Sequence, residues 1–469
     1  MNRNKKKNSK TDEEKFAYSS GVHWSYGIGG FLTNFTTTAL GVRLTYFYIN
    51  EIGLAVILYG IANILLGFWN MINDPLMGYL SDGKYNFQKK WGRRFPWFVP
   101  TAIGCGVFYM LIFLVPFNAM IGMFIWLIIM SFSYELTYTT WNANYIALYP
   151  EKFRSEKERT KVAGINTATG QLGVAFGILL PPLLITEGQL DSYIITAVII
   201  MMINVVFAIL MIPGMREGKE LRSKKIELQD TEHNIKDFFE SLKYVAKQKN
   251  LGVYLFAYLA HQVLTFLMLA MLPFWTNYLV DSIDASTAEL ILAAAFLLGG
   301  LISVPFWMKV GRKYGNRKGL FYGMFATSLF FIPMLFISNL IITAITILIL
   351  GFGIGAMWTL MYPGFSDVLD ENVLITEQRR EGTYNGVRMF IGRFGSVLQG
   401  MAITLVFTVT GFVEGSSTQT PLAIFGIRIL MALIPMLFYF VASIMIWKFS
   451  DLSKEKVSKI KEELNVKGF

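Results

Sequence analysis

Apolar runs of about 20 residues recur along this chain, separated by short polar connections. Nothing else in the sequence constrains the fold as tightly. A bilayer core is about 30 Å thick, and a helix rising about 1.5 Å per residue crosses it in roughly 20 residues. Without water, backbone N–H and C=O groups must find partners inside the chain, which leaves helices or closed barrels. Read as helices, the runs lie near 25–49, 53–79, 96–117, 121–148, 161–186, 191–213, 250–279, 287–308, 318–337, 340–366, 383–410 and 421–447. With 54% hydrophobic residues, a soluble multidomain chain does not fit. The expected fold is an all-α membrane protein with 12 transmembrane helices.

The charges supply an orientation. Of the 42 Lys and Arg, 38 lie in 1–20, 448–469 and alternate connections (80–95, 149–161, 214–249, 309–318, 367–382). The opposite connections hold none and carry Glu51, Glu187, Asp281, Asp284 and Glu414. An excess of cations on one side marks the cytoplasmic face, so both termini are expected there. The net charge of +10 is then a topology signal, and no nucleic-acid partner is expected. The N-terminal MNRNKKKNSKTDEEK is followed by no signal-type core and cleavage site. The first run is therefore expected to be retained in a multi-pass protein of the cell membrane. The single cysteine, Cys105, permits no intrachain disulfide.

The longest polar segment divides the spans six and six. The expected organisation is a cytoplasmic tail (1–20), a six-helix bundle (21–213), a linker (214–249), a second six-helix bundle (250–449) and a C-terminal tail (450–469). Within the linker, Ile235, Phe238, Phe239, Leu242, Tyr244 and Val245 approach helical spacing, as in a helix lying on the inner surface. The halves echo one another after their second spans, in PLMGYLSDGKYNFQKKWGRRFPW and PFWMKVGRKYGNRKGLF. Two six-helix repeats are an architecture of secondary transporters whose substrate sites lie at the membrane midplane. Gly173 and Gly177, and the glycines of GFGIGAMW, read as close helix packing, with bending during transport as the other reading for Gly351, Gly353 and Gly355.

Ionisable groups inside the spans each need a reason. Arg43, Arg388 and Arg428 lie near span ends, where snorkelling suffices. Arg393 lies about 15 Å into its span at the standard helical rise, so it needs an acid, an anionic substrate group or water. Glu135, in SFSYELTYTTWNANYIALYP, is the deepest acid. Thr139 and Asn142 share its helix face, beside an aromatic stripe of Tyr138, Trp141 and Tyr145. Glu135 reads either as a buried neutral acid or as a proton-coupling carboxylate. Asp74 stands before Pro75, which frees a carbonyl one turn earlier. That carbonyl with Asn70, Asn73 and Asp74 would offer oxygens to a hard cation. Equally, Asp74 would pair with Lys90, Arg93 or Arg94 in the next loop. Three scattered histidines, with no H-E-x-x-H, cysteine pair or phosphate loop, point away from an enzyme, and no cofactor is expected.

NDPLMGYLSD with WGRRFPW resembles the signature of the glycoside–pentoside–hexuronide:cation symporters, the melibiose permease group of the major facilitator superfamily. TYTTWNANYIALYP, EKERTKVAG, RREGTYNGVRMF and GIRILMALIP extend the resemblance over nearly the whole chain. It implies uptake of a small solute by alternating access, driven by Na+, H+ or Li+. Asp74 and Thr139 match the family's second span-two acid and its span-four threonine, while Asn70 replaces the first acid. The melibiose-type sugar positions read Asn34, Asn142, Ile146 and Asn166, and Arg393 retains the basic residue of span eleven. Glu135 falls on a glutamate of the related sodium-dependent lysophosphatidylcholine symporters.

The expected function is cation-coupled symport of a small polar solute, a sugar or glycoside. Asp74, Asn70, Asn73, Thr139 and Glu135 are the expected coupling residues, with any Na+ at Asp74. Asn34, Glu135, Trp141, Asn142, Asn166 and Arg393 are the expected substrate contacts, and Asp82, Arg93 and Arg94 the gate. A monomer in the bilayer is expected. The rival readings are symport of a lysophospholipid or other amphiphile, and an uncoupled membrane sensor or scaffold.

Overall fold

The computed structural model describes residues 18–82, 85, 88–153, 155–218, 248–280, 284–377 and 381–467. All regular elements among them are helical. The first run is built in pieces, α1 (Ser20–Gly27), α2 (Gly29–Tyr46) and a π turn over Phe47–Glu51. There follow α3 (Val56–Asp82), the short α4 (Gln88–Trp91), α5 (Phe95–Phe113), α6 (Met120–Lys152), α7 (Glu156–Leu184) and α8 (Leu190–Met215). After the linker come α9 (Lys249–Tyr278), α10 (Ala285–Tyr314), α11 (Asn316–Phe330), α12 (Leu340–Thr376) and α13 (Glu381–Thr410). The last run is α14 (Pro421–Arg428), a π turn and α15 (Ile434–Phe449), and α16 (Lys454–Lys467) ends the chain.

Among the described residues, 11 helices are long and apolar enough to cross a membrane. The twelfth expected span is the first run. It is helical, but Thr33, Asn34, Thr36, Thr37, Thr38 and Arg43 dilute its apolar character. α3 shows how the other spans are dressed. Ile57, Ile61, Leu65, Phe68, Ile72 and Leu76 form one exposed apolar stripe, while Asn63, Asn70 and Asn73 are buried on the other side. An exposed stripe that apolar suits hydrocarbon rather than water. The helix also runs through Pro75 to Asp82, so Asp74 is not a frayed end.

By contact the chain forms two compact units, one of Met1–Leu40 and Phe68–Gln229, the other of Gly41–Gly67 and Asp230–Phe469. Helices in lipid gain little from apolar burial against each other, so close van der Waals approach holds them. Glycines permit it in both units. A Cβ on Gly173 would come 2.5 Å from the Phe31 carbonyl oxygen, and one on Gly177 2.8 Å from that of Phe35. In the second unit, Gly299 would meet the Leu348 carbonyl at 2.0 Å and Gly351 that of Phe296 at 2.3 Å. The glycines therefore pack backbones together, as their spacing implied.

The sequence echo has a structural counterpart. Gly92 before α5 and Gly315 before α11 both adopt positive φ, 92° and 86°. A Cβ on Gly92 would strike the Glu217 carboxyl carbon at 2.5 Å, and one on Gly315 would meet Lys454 at 3.1 Å. Each glycine thus turns the chain beneath the segment that follows the sixth run of its half. Within the expected C-terminal tail lies the helix α16. It docks on α12 through Lys456–Glu371 (2.5 Å) and Lys461–Asp367 (3.3 Å). The linker helix expected around residues 235–245 lies outside the described residues.

One substitution pair tests the packing within a single helix. In α7, Gly164 has open space around its Cβ position, whereas Gly173 does not. Gly173→Ala should lower thermal stability in detergent, by about 1–3 kcal/mol for overpacking. Gly164→Ala should be neutral or stabilising by a few tenths to about 1 kcal/mol, from helix propensity alone. Equal effects in a thermal-shift assay would refute close backbone packing as the role of Gly173.

Candidate functional site

Asn70, Asn73 and Asp74 sit at i, i+3 and i+4 of α3 and therefore share a face. That face meets α6. The Thr139 hydroxyl donates to Asp74 Oδ1 at 2.8 Å, and Asn73 Nδ2 donates to the Glu135 carbonyl oxygen at 3.1 Å. Thr139 is one helical turn beyond Glu135, so two rungs join α3 to α6 at the level of both acids. Asn73 is fully buried and Asn70 is 4% exposed. The Oδ1 atoms of both asparagines, and that of Asn142, are buried without a hydrogen-bond partner. An unmet buried carbonyl costs about 1–3 kcal/mol, so the two on the helix face of Asp74 call for a cation, a proton donor or water. The residue types suit a monovalent cation. Asp74 supplies the charge and the amides neutral oxygens, one formal charge fewer than a two-acid site.

The expected substrate contacts divide. Asn34 and Asn166 both lie at the crossing of α2 and α7. There Asn34 Nδ2 donates to the Gly30 carbonyl oxygen (3.0 Å), and a Cβ on Gly170 would come 3.1 Å from that same Nδ2. Asn166 Nδ2 donates to Tyr145 Oη, which in turn donates to the Tyr26 carbonyl oxygen at 3.1 Å. The Tyr26 and Tyr145 rings stack at 4.5 Å. Asn34, Asn142 and Asn166 are all half-buried. Trp141 is different. It is 0% exposed, packed among Phe98, Tyr138 and Tyr145, so no ring face is open for a solute to stack on. The α5 side chain Phe98 covers it, which an i+4 stripe on α6 cannot reveal. Arg393 is half-buried on α13, in the other unit.

At the connection between α3 and α5, the Asp82 side chain lies outside the described residues. Arg94 reaches Glu151 at 3.4 Å and Asn144 at 3.5 Å, both on α6. Its backbone N–H and those of Arg93 and Phe95 donate to Glu217, at 2.6, 2.9 and 3.2 Å. A carboxylate on the first N–H groups of α5 completes that helix's N-terminus and matches its dipole. Glu217 is 4% exposed. Assigning it to the linker gave it no role; the available signal was an acid two residues past α8 in an otherwise basic connection.

Sequence reasoning also missed Glu289. Arg43 is not a snorkelling cation. It is 1% exposed, and its Nη2 lies 2.8 Å from Glu289 Oε2 on α10, itself fully buried. An acid just inside one run and a base near the end of another, on the same expected side of the membrane, were the available signal. Arg428 does act at an end. It donates to the Met334 and Ile337 carbonyl oxygens at 3.0 and 2.8 Å, closing the turn beyond α11, and stacks over Trp275 at 5.5 Å. His261 shares a hydrogen bond with Tyr439 Oη at 2.7 Å.

The comparisons with known proteins now decide the family. The sequence profile of a family described as MFS/sugar transport protein matches residues 25–451. The chain belongs to that family. It is a multi-pass membrane transporter rather than an enzyme. It is 22% identical to the sodium-dependent lysophosphatidylcholine symporter 1 of Xenopus tropicalis, over 98% of this chain and 92% of that one. It is also 22% identical to a putative sulfoquinovose importer of Escherichia coli, over 94% and 92%. An uncharacterized symporter of Synechocystis is 30% identical over 162 residues, which is 33% of this chain and 29% of that protein. Among solved structures, the nucleoside transporter NupG superposes with a TM-score of 0.65 at 13% identity, covering 92% of this chain and all of that one. The fold is thus the major facilitator fold.

The buried pair makes a sharp stability prediction. Removing one partner strands a charge in an apolar interior, which costs about 3–5 kcal/mol, whereas replacing both by apolar groups is close to neutral. Arg43→Met or Glu289→Leu alone should sharply lower the melting temperature of the purified transporter. The double variant should recover most of the loss. An additive double variant would show that the two charges are not coupled.

Proposed function

We propose that this transporter is a symporter that couples the inward movement of a monovalent cation to uptake of a small polar solute, a sugar or glycoside, across the plasma membrane. The observation that carries it is the α3–α6 contact, in which Asp74 accepts from Thr139 beside buried, unpartnered amide oxygens of Asn70 and Asn73. Asp74, Asn70, Asn73 and Thr139 would hold the cation, and Na+ or H+ the charge that moves, with Li+ as a substitute. Glu135, one turn away on α6 and joined to α3 through Asn73, would carry a proton or accept a solute hydroxyl.

Asn34, Asn142 and Asn166 would offer amide hydrogen bonds to the solute, and Arg393 would engage it from α13. Trp141 shapes this wall from behind through its packing. The two six-helix halves, 21–213 and 250–449, would rock about the bound pair of ligands with both termini cytoplasmic. Binding energy shared between cation and solute would make the loaded transporter the species that reorients. Arg93 and Arg94, fixed to Glu217 and Glu151, would hold the cytoplasmic corner of the first half rigid while it moves.

An amphiphile is the second reading, favoured by the likeness to lysophosphatidylcholine symporters over nearly the whole chain. Uptake into proteoliposomes of labelled hexoses, glycosides and lysophosphatidylcholine, with and without Na+ and proton gradients, separates the two. Accumulation of lysophosphatidylcholine alone would replace the sugar reading, and gradient-independent binding of every solute would mean a sensor or scaffold.

Asp74→Asn should abolish accumulation while leaving the protein inserted and monodisperse. Full ion-driven uptake in that variant would defeat the cation assignment. Glu135→Gln should flatten the dependence of uptake on external pH. An unchanged profile would return Glu135 to a purely structural role.

A further inference from the structure

Arg388 on α13 was expected to snorkel to the inner face. It does not reach water, being 6% exposed. Its guanidinium carbon lies 5.1, 4.7 and 5.0 Å from the ring centroids of Tyr258, Tyr362 and Phe365, which come from α9 and α12. Tyr254 donates its hydroxyl proton to the Met361 carbonyl oxygen at 3.1 Å. Arg388 Nε is buried with no partner, and no carboxylate among the described residues pairs with this cation.

Such a group is expensive. An ion at membrane depth is retained where it faces a partner, a cavity or a ligand. Three aromatic faces offset part of the cost, at about 0.5–2 kcal/mol each, but they leave the formal charge uncompensated. The cage is also built with an open side. Phe365 and Tyr254 are buried and stacked on one another at 5.0 Å, whereas Tyr362 is 66% exposed. Tyr258 is half-buried and lies across α13 over Gly392, where a Cβ would come within 2.7 Å of its ring. Gly392 lies four residues after Arg388 and directly before Arg393, so Tyr258 crosses α13 at a position between the two arginines in the chain.

We propose that Arg388, framed by Tyr258 and Tyr362, binds an oxyanion of the transported solute, a carboxylate, sulfonate or phosphate group. The planar guanidinium fork matches two oxygens of such a group, and the ring faces exclude water from the contact. The assignment rests on the transporter reading above and narrows its substrate class from polar solutes to anionic ones. The same chemistry is presented by the headgroup of an acidic phospholipid, so the source of the oxyanion must be tested with its identity.

The intact chain would be reconstituted in nanodiscs of pure phosphatidylcholine and in matched discs containing phosphatidylglycerol. Glucose, glucuronate, glucose 6-phosphate and sulfoquinovose would be titrated by thermal shift. At least one anionic hexose should stabilise the wild type where glucose does not. Arg388→Gln should weaken its binding by roughly tenfold or more, the loss of a charge-assisted bidentate contact. Arg388→Lys, which keeps the charge without the fork, should fall between and serves if the Gln variant does not fold. Equal responses to glucose and to every anion, no response to any anion, or unchanged affinity in both variants would overturn the proposal. Stabilisation by phosphatidylglycerol that depends on Arg388 and blocks the hexose anions would assign the site to lipid and overturn the solute version. Ion-driven uptake of a neutral sugar that survives Arg388→Gln would leave the symporter reading standing while the anion site fails. A wild type that binds an anionic hexose yet transports nothing would separate the two in the other direction.

Discussion

A polar group in hydrocarbon has no water to fall back on, and the structure of this transporter follows from that constraint. The backbone meets it within each helix, which is why every described regular element is helical. Side chains must meet it between helices, and they do so in three ways. Arg43 and Glu289 neutralise each other in full burial. Arg388 is wrapped by aromatic rings that soften its charge without cancelling it. Asn70 and Asn73 are left with buried carbonyl oxygens beside Asp74, a deficit that a ligand would fill. The degree of satisfaction separates structural polarity from polarity available for chemistry.

Close packing follows from the same constraint. Because lipid solvates apolar side chains as well as a neighbouring helix does, association relies on fit, and glycine lets backbones approach. Gly173 and Gly177 bring α7 onto α2, and Gly299 and Gly351 bring α10 onto α12. This brings Asn166, on α7 seven residues before Gly173, to the Tyr26–Tyr145 stack. Packing and site share the same crossings. The corners add a second device, since Gly92 and Gly315 each turn with positive φ beneath a charged residue from beyond the sixth run.

Much of the candidate cation site was legible in advance. Helical spacing placed Asn70, Asn73 and Asp74 on one face, and the motif resemblance supplied Thr139 as a partner. The hydrogen bond from Thr139 to Asp74 agrees with that pairing. What could not be read was which side of each helix a third element covers. Trp141 shares a stripe with Tyr138 and Tyr145, yet Phe98 from α5 closes over it. Arg43 and Arg388 looked alike as cations near span ends, and one proved paired while the other proved caged.

By itself the sequence determined the helical class, the number and order of the runs, the sidedness expected from Lys and Arg, and the helix faces that carry polar residues. These depend on composition and on contacts a few residues apart, which periodicity records. Only the tertiary structure decided the partners across helices: Glu289 for Arg43, Glu217 for the start of α5, and the tyrosines around Arg388. Such contacts join residues on different helices, beyond the reach of helical periodicity, and no local pattern encodes which buried charge will be neutralised by an acid and which will be caged by rings.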